Sequence, residues 1–263
     1  MAGYLIDFKT MNNLDYHKKQ LKYNLSAIYS EIKRQFPDDI EPNLSDPKYK
    51  EIIDSLPYKP VVSGGIAKAL GLKDCLLDLD TWEDFSCGWA RADKIPEDSP
   101  LQDLIVDTPR GRMVQLNKSA LKIDENGQYI LPKKGQEKNR RLGTEFVFGM
   151  GQNLSAAMAR LEIDDPEYGK RFSAIAQKVF EEKIIPELTK DALIRTGKDG
   201  AVVVRAAEIL TTCFEHTENR DEKSFKHFHF DAMNTALGED GKLYALCTDQ
   251  IIKNKDKYSA IFM

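Results

Sequence analysis

The apolar positions along this chain change period several times, and each change marks an element. In "LDYHKKQLKYNLSAIYSEIKRQF" (residues 14–36), Leu14, Leu21, Leu25, Ile28 and Ile32 recur at helical spacing, which predicts an amphipathic helix buried on that side. "YLIDFKT" before it reads as a short strand, and the three prolines of "PDDIEPNLSDP" break the helix. "KPVVSGGIAKALGLKD" reads as a strand, a glycine turn and a short helix. "DENGQYILP" carries an Asn-Gly hairpin signal at Asn126 and Gly127.

From Leu142 the pattern sharpens. "LGTEFVFG" is strand-like, and "NLSAAMARLEI" is helical with Asn153 as its cap. "PEYGKRFSAIAQKVFEEKIIPEL" predicts a long amphipathic helix. Pro166 lies in its first turn, Phe172, Ile175, Val179 and Ile184 face the core, and Pro186 marks its end. "ALIRTGKDGAVVV" reads as a hairpin around Gly197 and Gly200, "AEILTTCFEHTE" and "FKHFHFDAMNTAL" as strands, and "EDGKL" as a tight turn. "DQIIKNKDKYSAIFM" starts a final helix. Strands with interposed helices predict an α+β fold: a central, mainly antiparallel β-sheet with helices covering one face.

Composition narrows the function classes. The chain has 263 residues, 41% hydrophobic and 30% charged, as expected of a soluble globular protein. No apolar run approaches the roughly 18 residues of a membrane span, and the N-terminus lacks the basic and apolar regions of a signal peptide. Cys75, Cys87, Cys213 and Cys247 form no CxxC pair and read as reduced thiols of a cytoplasmic protein. A net charge of −4 argues against non-specific coating of nucleic acid but leaves room for a local basic groove.

Three of the four histidines, His216, His227 and His229, fall within fourteen residues. Alternate side chains of a strand share a face, so "KHFHFDAM" puts His227, His229 and Asp231 on one side and Phe228, Phe230 and Ala232 on the other. His216 lies near the end of the preceding strand, and an antiparallel return brings it to the same point. Three imidazoles with open positions suit a catalytic divalent metal such as Zn, Mn, Fe or Ni. An H-x-H pair is equally compatible with ordinary strand histidines. A cupin-type metal enzyme would need a later histidine, and the chain has none after His229.

These residues carry a resemblance. "FEHTENRDEKSFKHFHFDAMNTALGEDGKLYAL" is similar to the metal motif of the HUH endonucleases, and most closely to conjugative relaxases of the TrwC/TraI (MobF) type, through His216, Arg220, His227, His229, Asn234 and Asp240-Gly241. "RLGTEFVFGMGQNLSAAMA" resembles a second family segment, with Glu145 in place of an aspartate and Gly151-Gln152 in place of Pro-Lys. Tyr16 and Tyr23 lie near the position of the family's paired catalytic tyrosines, as single residues rather than doublets. Residues 30–60 and 90–140 look expanded relative to the family, and no GxxxxGK[ST] helicase motif is present.

The resemblance implies a metal-dependent DNA relaxase. Tyr16, with Tyr23 second, would attack a phosphodiester of single-stranded or hairpin origin-of-transfer DNA and form a 5′-phosphotyrosine intermediate. One divalent ion (Mg, Mn, Zn or Ni) would sit on His216, His227 and His229, with Glu145 supporting an imidazole. Arg220, Arg110, Arg112, Lys133, Lys134, Arg140 and Arg141 are the candidate DNA contacts. The whole chain would form a single nicking domain, the N-terminal part of a larger bacterial cytoplasmic protein exported with the transferred strand. A type IV secretion coupling protein and accessory relaxosome proteins would be its partners. A rolling-circle replication initiator and a DNA-binding relative with weakened catalysis remain alternatives.

Overall fold

The computed structural model describes residues 5–11, 14–44, 46–56, 59–132, 141–218 and 224–262. In chain order the main elements are β1 (Leu5–Met11), α1 (Leu14–Gln35), α2 (Lys50–Ser55), β2 (Val61–Ser63), α3 (Gly65–Ala69), α4 (Leu79–Ser86) and β3 (Trp89–Arg91). They continue with β4 (Ile105–Thr108), β5 (Gly111–Gln115), β6 (Gly143–Gly149), α5 (Gln152–Asp164), α6 (Pro166–Val179), a π-helical turn (Phe180–Ile184) and α7 (Ile185–Asp191). The last third comprises β7 (Leu193–Thr196), β8 (Val202–Arg205), β9 (Glu208–Glu218), β10 (Ser224–Leu237), β11 (Leu243–Tyr244), α8 (Asp249–Lys253) and α9 (Lys255–Phe262).

The central sheet runs β1-β6-β10-β9-β2, with β11 pairing the far end of β10. Every described pairing in it is antiparallel. This is the α+β architecture that the pattern predicts. Its two longest strands, β9 and β10, are the two that carry the histidines.

Each face of the sheet has its own core. Phe146, Phe148, Phe228 and Phe230 point to one side, where Phe180, Ile184, Leu188 and Tyr258 of the later helices cover them. Helices also pack on the other face. Leu21, Leu25, Ile28 and Ile32 of α1 join Met11, Leu210 and Met233 there. Burying side chains of this size contributes about 1.5–3 kcal/mol each. At Gly143, where β6 starts, an added Cβ would stand 2.5 Å from the Ala232 carbonyl oxygen, so only glycine lets β6 and β10 approach this closely.

Several local expectations shift. The N-cap of α5 is Gly151, without a side-chain hydrogen bond, and Asn153 lies inside the first turn. Ile175 is 61% exposed, while Ala176 takes the core position. Pro186 does not end the helix: it sits in the first turn of α7, where a missing N–H is tolerated, directly after the π-helical turn. The final helix divides at Asn254 into α8 and α9. The Asn-Gly hairpin closes through a single bridge, Ile123 to Tyr129. No described helix is long and apolar enough to cross a membrane.

Candidate metal centre

Strand register assembles the histidines. β9 and β10 pair His216 directly with His227, and His229 with Phe214, so the three imidazoles share one face. Ring centroids lie 5.3 Å apart for His216 and His227, 4.5 Å for His216 and His229, and 4.9 Å for His227 and His229. One ring nitrogen from each lies within 4.8 Å of the other two.

The surroundings fix which nitrogens face the gap. His229 Nδ1 donates to Glu145 Oε1 at 2.6 Å, and Glu145 is only 1% exposed. That bond leaves the His229 Nε2 lone pair turned away from the carboxylate. Phe214 stacks on the same ring, 5.1 Å away and 8° from parallel. His216 bonds to the backbone of Gln20 on α1. Nε2 of His216 and Nε2 of His229 are both buried and have no hydrogen-bond partner among the described residues.

Burial, then the neighbouring imidazoles His229 and His227, push the pKa of His216 down to about 2. Burial, then His227 and Lys9, push that of His229 down to about 3. Both rings are therefore neutral near pH 7, the state in which imidazole binds a metal. Two orphaned nitrogens in an all-imidazole donor set fit a divalent cation, because burying unpaired acceptors is otherwise costly.

Helix α1 closes one side. Asn24 Nδ2 donates to the Glu215 carbonyl at 2.6 Å, docking the helix beside His216. Gln20, Tyr23 and Asn24 follow helical spacing, so one stretch of helix serves the whole contact. The Tyr23 ring stands edge-on to His216 at 6.0 Å and is 53% exposed. Tyr16 lies two turns earlier on α1; its side chain is outside the described residues.

Three further residues shape the site: Asp231, which the strand alternation places on the histidine face without assigning it a role, and Phe214 and Asn24, which the sequence reading missed. Asp231 pairs with Glu145 across β10 and β6 and is fully buried, and burial, then Glu145, raises its pKa well above the usual carboxylate range. The H-x-H-x-D alternation was its signal. Phe214 and Asn24 had none, because their roles depend on strand register and helix docking.

The candidate DNA contacts fare differently. Arg110 is held inward: its Nε donates to Asp84 Oδ1 at 2.9 Å, and its guanidinium lies 4.8 Å over the Tyr129 ring. Asp84 is buried and also receives Arg91 and Tyr129, so this network braces β3 and the turn between β4 and β5 against α4. Arg112 is exposed on β5. Arg141 is half-buried and donates to Thr248 Oγ1, to Asn234 Oδ1 and to the Leu246 carbonyl. Asn234 returns a bond to the Arg141 carbonyl at 3.0 Å, so it acts as an interlock between β10 and the entry to β6. Lys133, Lys134, Arg140 and Arg220 lie outside the described residues.

Comparison with known proteins places this geometry. No curated protein matches the chain. Among solved structures, it is similar to the conjugative relaxase TrwC in complex with oriT DNA in a metal-bound form, with 15% identity and a TM-score of 0.56, covering 98% of this chain and 66% of that one. A metal-free TrwC–oriT complex gives 14% identity and a TM-score of 0.56, over 98% of this chain and 66% of that one. TrwC with a 27-mer DNA comprising the recognition hairpin and the cleavage site gives 16% and 0.51, over 82% and 62%. At such identities the likeness shows the fold, and the chain spans about two thirds of the length of the relaxase chains it matches. The sequence model of the TrwC relaxase family matches residues 62–263, well over half of the chain. The chain belongs to the TrwC relaxase family.

Proposed function

We propose that this protein nicks one strand of origin-of-transfer DNA by tyrosine attack, with a divalent metal held by His216, His227 and His229. The observation that carries the reading is the convergence of three imidazoles, two with orphaned nitrogens, beside a tyrosine-bearing helix in a chain of this family. The relatives' oriT DNA complexes support the choice of substrate. In the reading, residues 1–263 act as one nicking domain in the bacterial cytoplasm, and a secretion coupling protein and accessory DNA-bound proteins are its partners.

The chemistry follows from the side chains. A phenolic oxygen of α1, Tyr16 first and Tyr23 second, loses its proton and bonds to the scissile phosphorus. The bond from phosphorus to the 3′ oxygen breaks, that oxygen takes up a proton, and the 5′ phosphate stays on the protein. The phosphodiester bond energy is thereby kept in the phosphotyrosine bond for later rejoining. A free tyrosine has a pKa near 10, so roughly a thousandth is ionised at pH 7, and the phosphate anion repels the phenolate. A divalent ion supplies charge that polarises the non-bridging phosphate oxygens. Glu145 keeps His229 in the tautomer that offers Nε2, Phe214 fixes the ring plane, and Asn24 holds α1 against β9.

The test is a denaturation-resistant protein–DNA adduct formed with labelled origin oligonucleotides and Mg²⁺ or Mn²⁺. The adduct is expected to form with the native chain and to vanish when Tyr16→Phe and Tyr23→Phe are combined. An adduct that survives the double substitution overturns the nucleophile assignment. No adduct on any cognate origin overturns the nicking reading and favours a DNA-binding relative with weakened catalysis.

A further inference from the structure

A second cavity lies away from the histidines, where β10 meets β11. It has a volume of about 520 Å³, within the range of small-ligand sites. Three cations from distant parts of the chain line it: Lys118 after β5, Arg141 before β6 and Arg195 on β7. Leu243, Tyr244 and Leu246 supply an apolar wall.

The charge there is only partly offset, by Asp249, among the described residues. The side-chain acceptors of Arg141 are the neutral oxygens of Thr248, Asn234 and Leu246, so its guanidinium keeps its full charge in a half-buried position. Lys118 and Arg195 form no ion pair among the described residues. Among the described residues Asp249 is the one carboxylate lining the cavity, and its Oδ2 lies 3.6 Å from the Cys247 thiol. Three cations against one carboxylate leave an excess of positive charge around a partly apolar cavity. A nucleotide matches that pattern: its phosphate meets the cations, and its base and sugar meet the apolar wall.

We propose that this cavity is a second nucleotide-phosphate site, separate from the histidine centre. The phosphate belongs either to a DNA strand or to a free nucleotide, and the two sources are separable by experiment. Cys247 lines the cavity and provides the readout, while Cys75, half-buried elsewhere, provides the internal reference.

The alkylation rate of each thiol is followed by mass spectrometry in the intact chain, with dTMP or with an oligonucleotide of roughly ten nucleotides, a length within single-strand site sizes. Either ligand is expected to slow Cys247 and leave Cys75 unchanged. Protection by dTMP alone assigns the site to free nucleotides; protection by the oligonucleotide alone assigns it to a DNA strand. Lys118→Gln combined with Arg195→Gln changes two exposed side chains and is expected to weaken the protecting ligand at least about tenfold, as loss of two charge-assisted contacts does. No protection by either ligand, or protection unchanged in the double variant, overturns the proposal. Tyrosine–DNA adduct formation by the same preparation reports the histidine centre independently, so failure of one site is distinguishable from failure of the other.

Discussion

The two faces of β10 use one strand for opposite ends. On one side Phe228 and Phe230 meet Phe146, Phe148 and Phe180 in a cluster that excludes water, with Phe180 stacked on Phe230 at 5.6 Å. On the other, His227, His229 and Asp231 alternate with them, and His229 Nε2 and Asp231 Oδ1 have no hydrogen-bond partner among the described residues. The phenylalanine face gains free energy by completing its contacts; the histidine face keeps lone pairs unused. The difference teaches that the strand separates stability from chemistry by the parity of its residue numbers.

The separation can be broken experimentally, and the largest effect is expected at the imidazoles. His229→Ala should reduce adduct formation about a thousandfold, equivalent to about 4 kcal/mol of transition-state stabilisation, with little change in thermal midpoint. A loss of activity matched by an equal loss of folded protein would show the faces to be coupled. Phe230→Ala should do the reverse, costing about 3–5 kcal/mol of stability as a cavity opens. Denaturant titration measures that cost, and adduct yield per folded molecule should stay unchanged.

Smaller substitutions sharpen the contrast. Glu145→Gln should weaken metal binding about 10–100-fold, as loss of a supporting carboxylate does; calorimetric titration with Mn²⁺ or Zn²⁺ reads it directly. Asp231→Asn should change stability by less than about 1 kcal/mol near pH 7. Burial, then Glu145, raises its pKa and so favours the neutral carboxyl, which an amide of the same shape replaces. A large destabilisation would mean that Asp231 is ionised in the folded protein.

Much of the histidine centre is legible in the sequence because strand alternation is a local rule. His227, His229 and Asp231 follow from spacing alone, and the buried side of α1 follows from Leu21, Leu25, Ile28 and Ile32. What escapes depends on contacts between distant segments. Asn24 reaches Glu215 across 191 positions, and Arg141 reaches Leu246 across 105. A basic residue in a polar stretch reads as a surface cation until its partners are known, which is why Arg110 and Arg141 look alike from sequence to a residue such as Arg112. Pro186 does not end the helix because the π-helical turn before it lets a proline start the next helical segment, and Ile175 is exposed because its neighbour Ala176 takes the buried position of a regular helix.

That irregular stretch has its own consequence. In the π-helical turn Phe180–Ile184 the helix takes one residue more than a regular turn would use. Buried positions run Ser173, Ala176 and Phe180 up to the start of the turn and Ile184, Leu188 and Ala192 from its end. Steps of four residues drift round a regular helix by about 40° each, and the wide turn takes up that drift. The turn is thus a store of one residue between two stretches that face the same core. Deleting a single residue there would leave an unbroken helix with Leu188 still on the buried side. A change of chain length that would turn a regular helix by about 100° is absorbed at this one place.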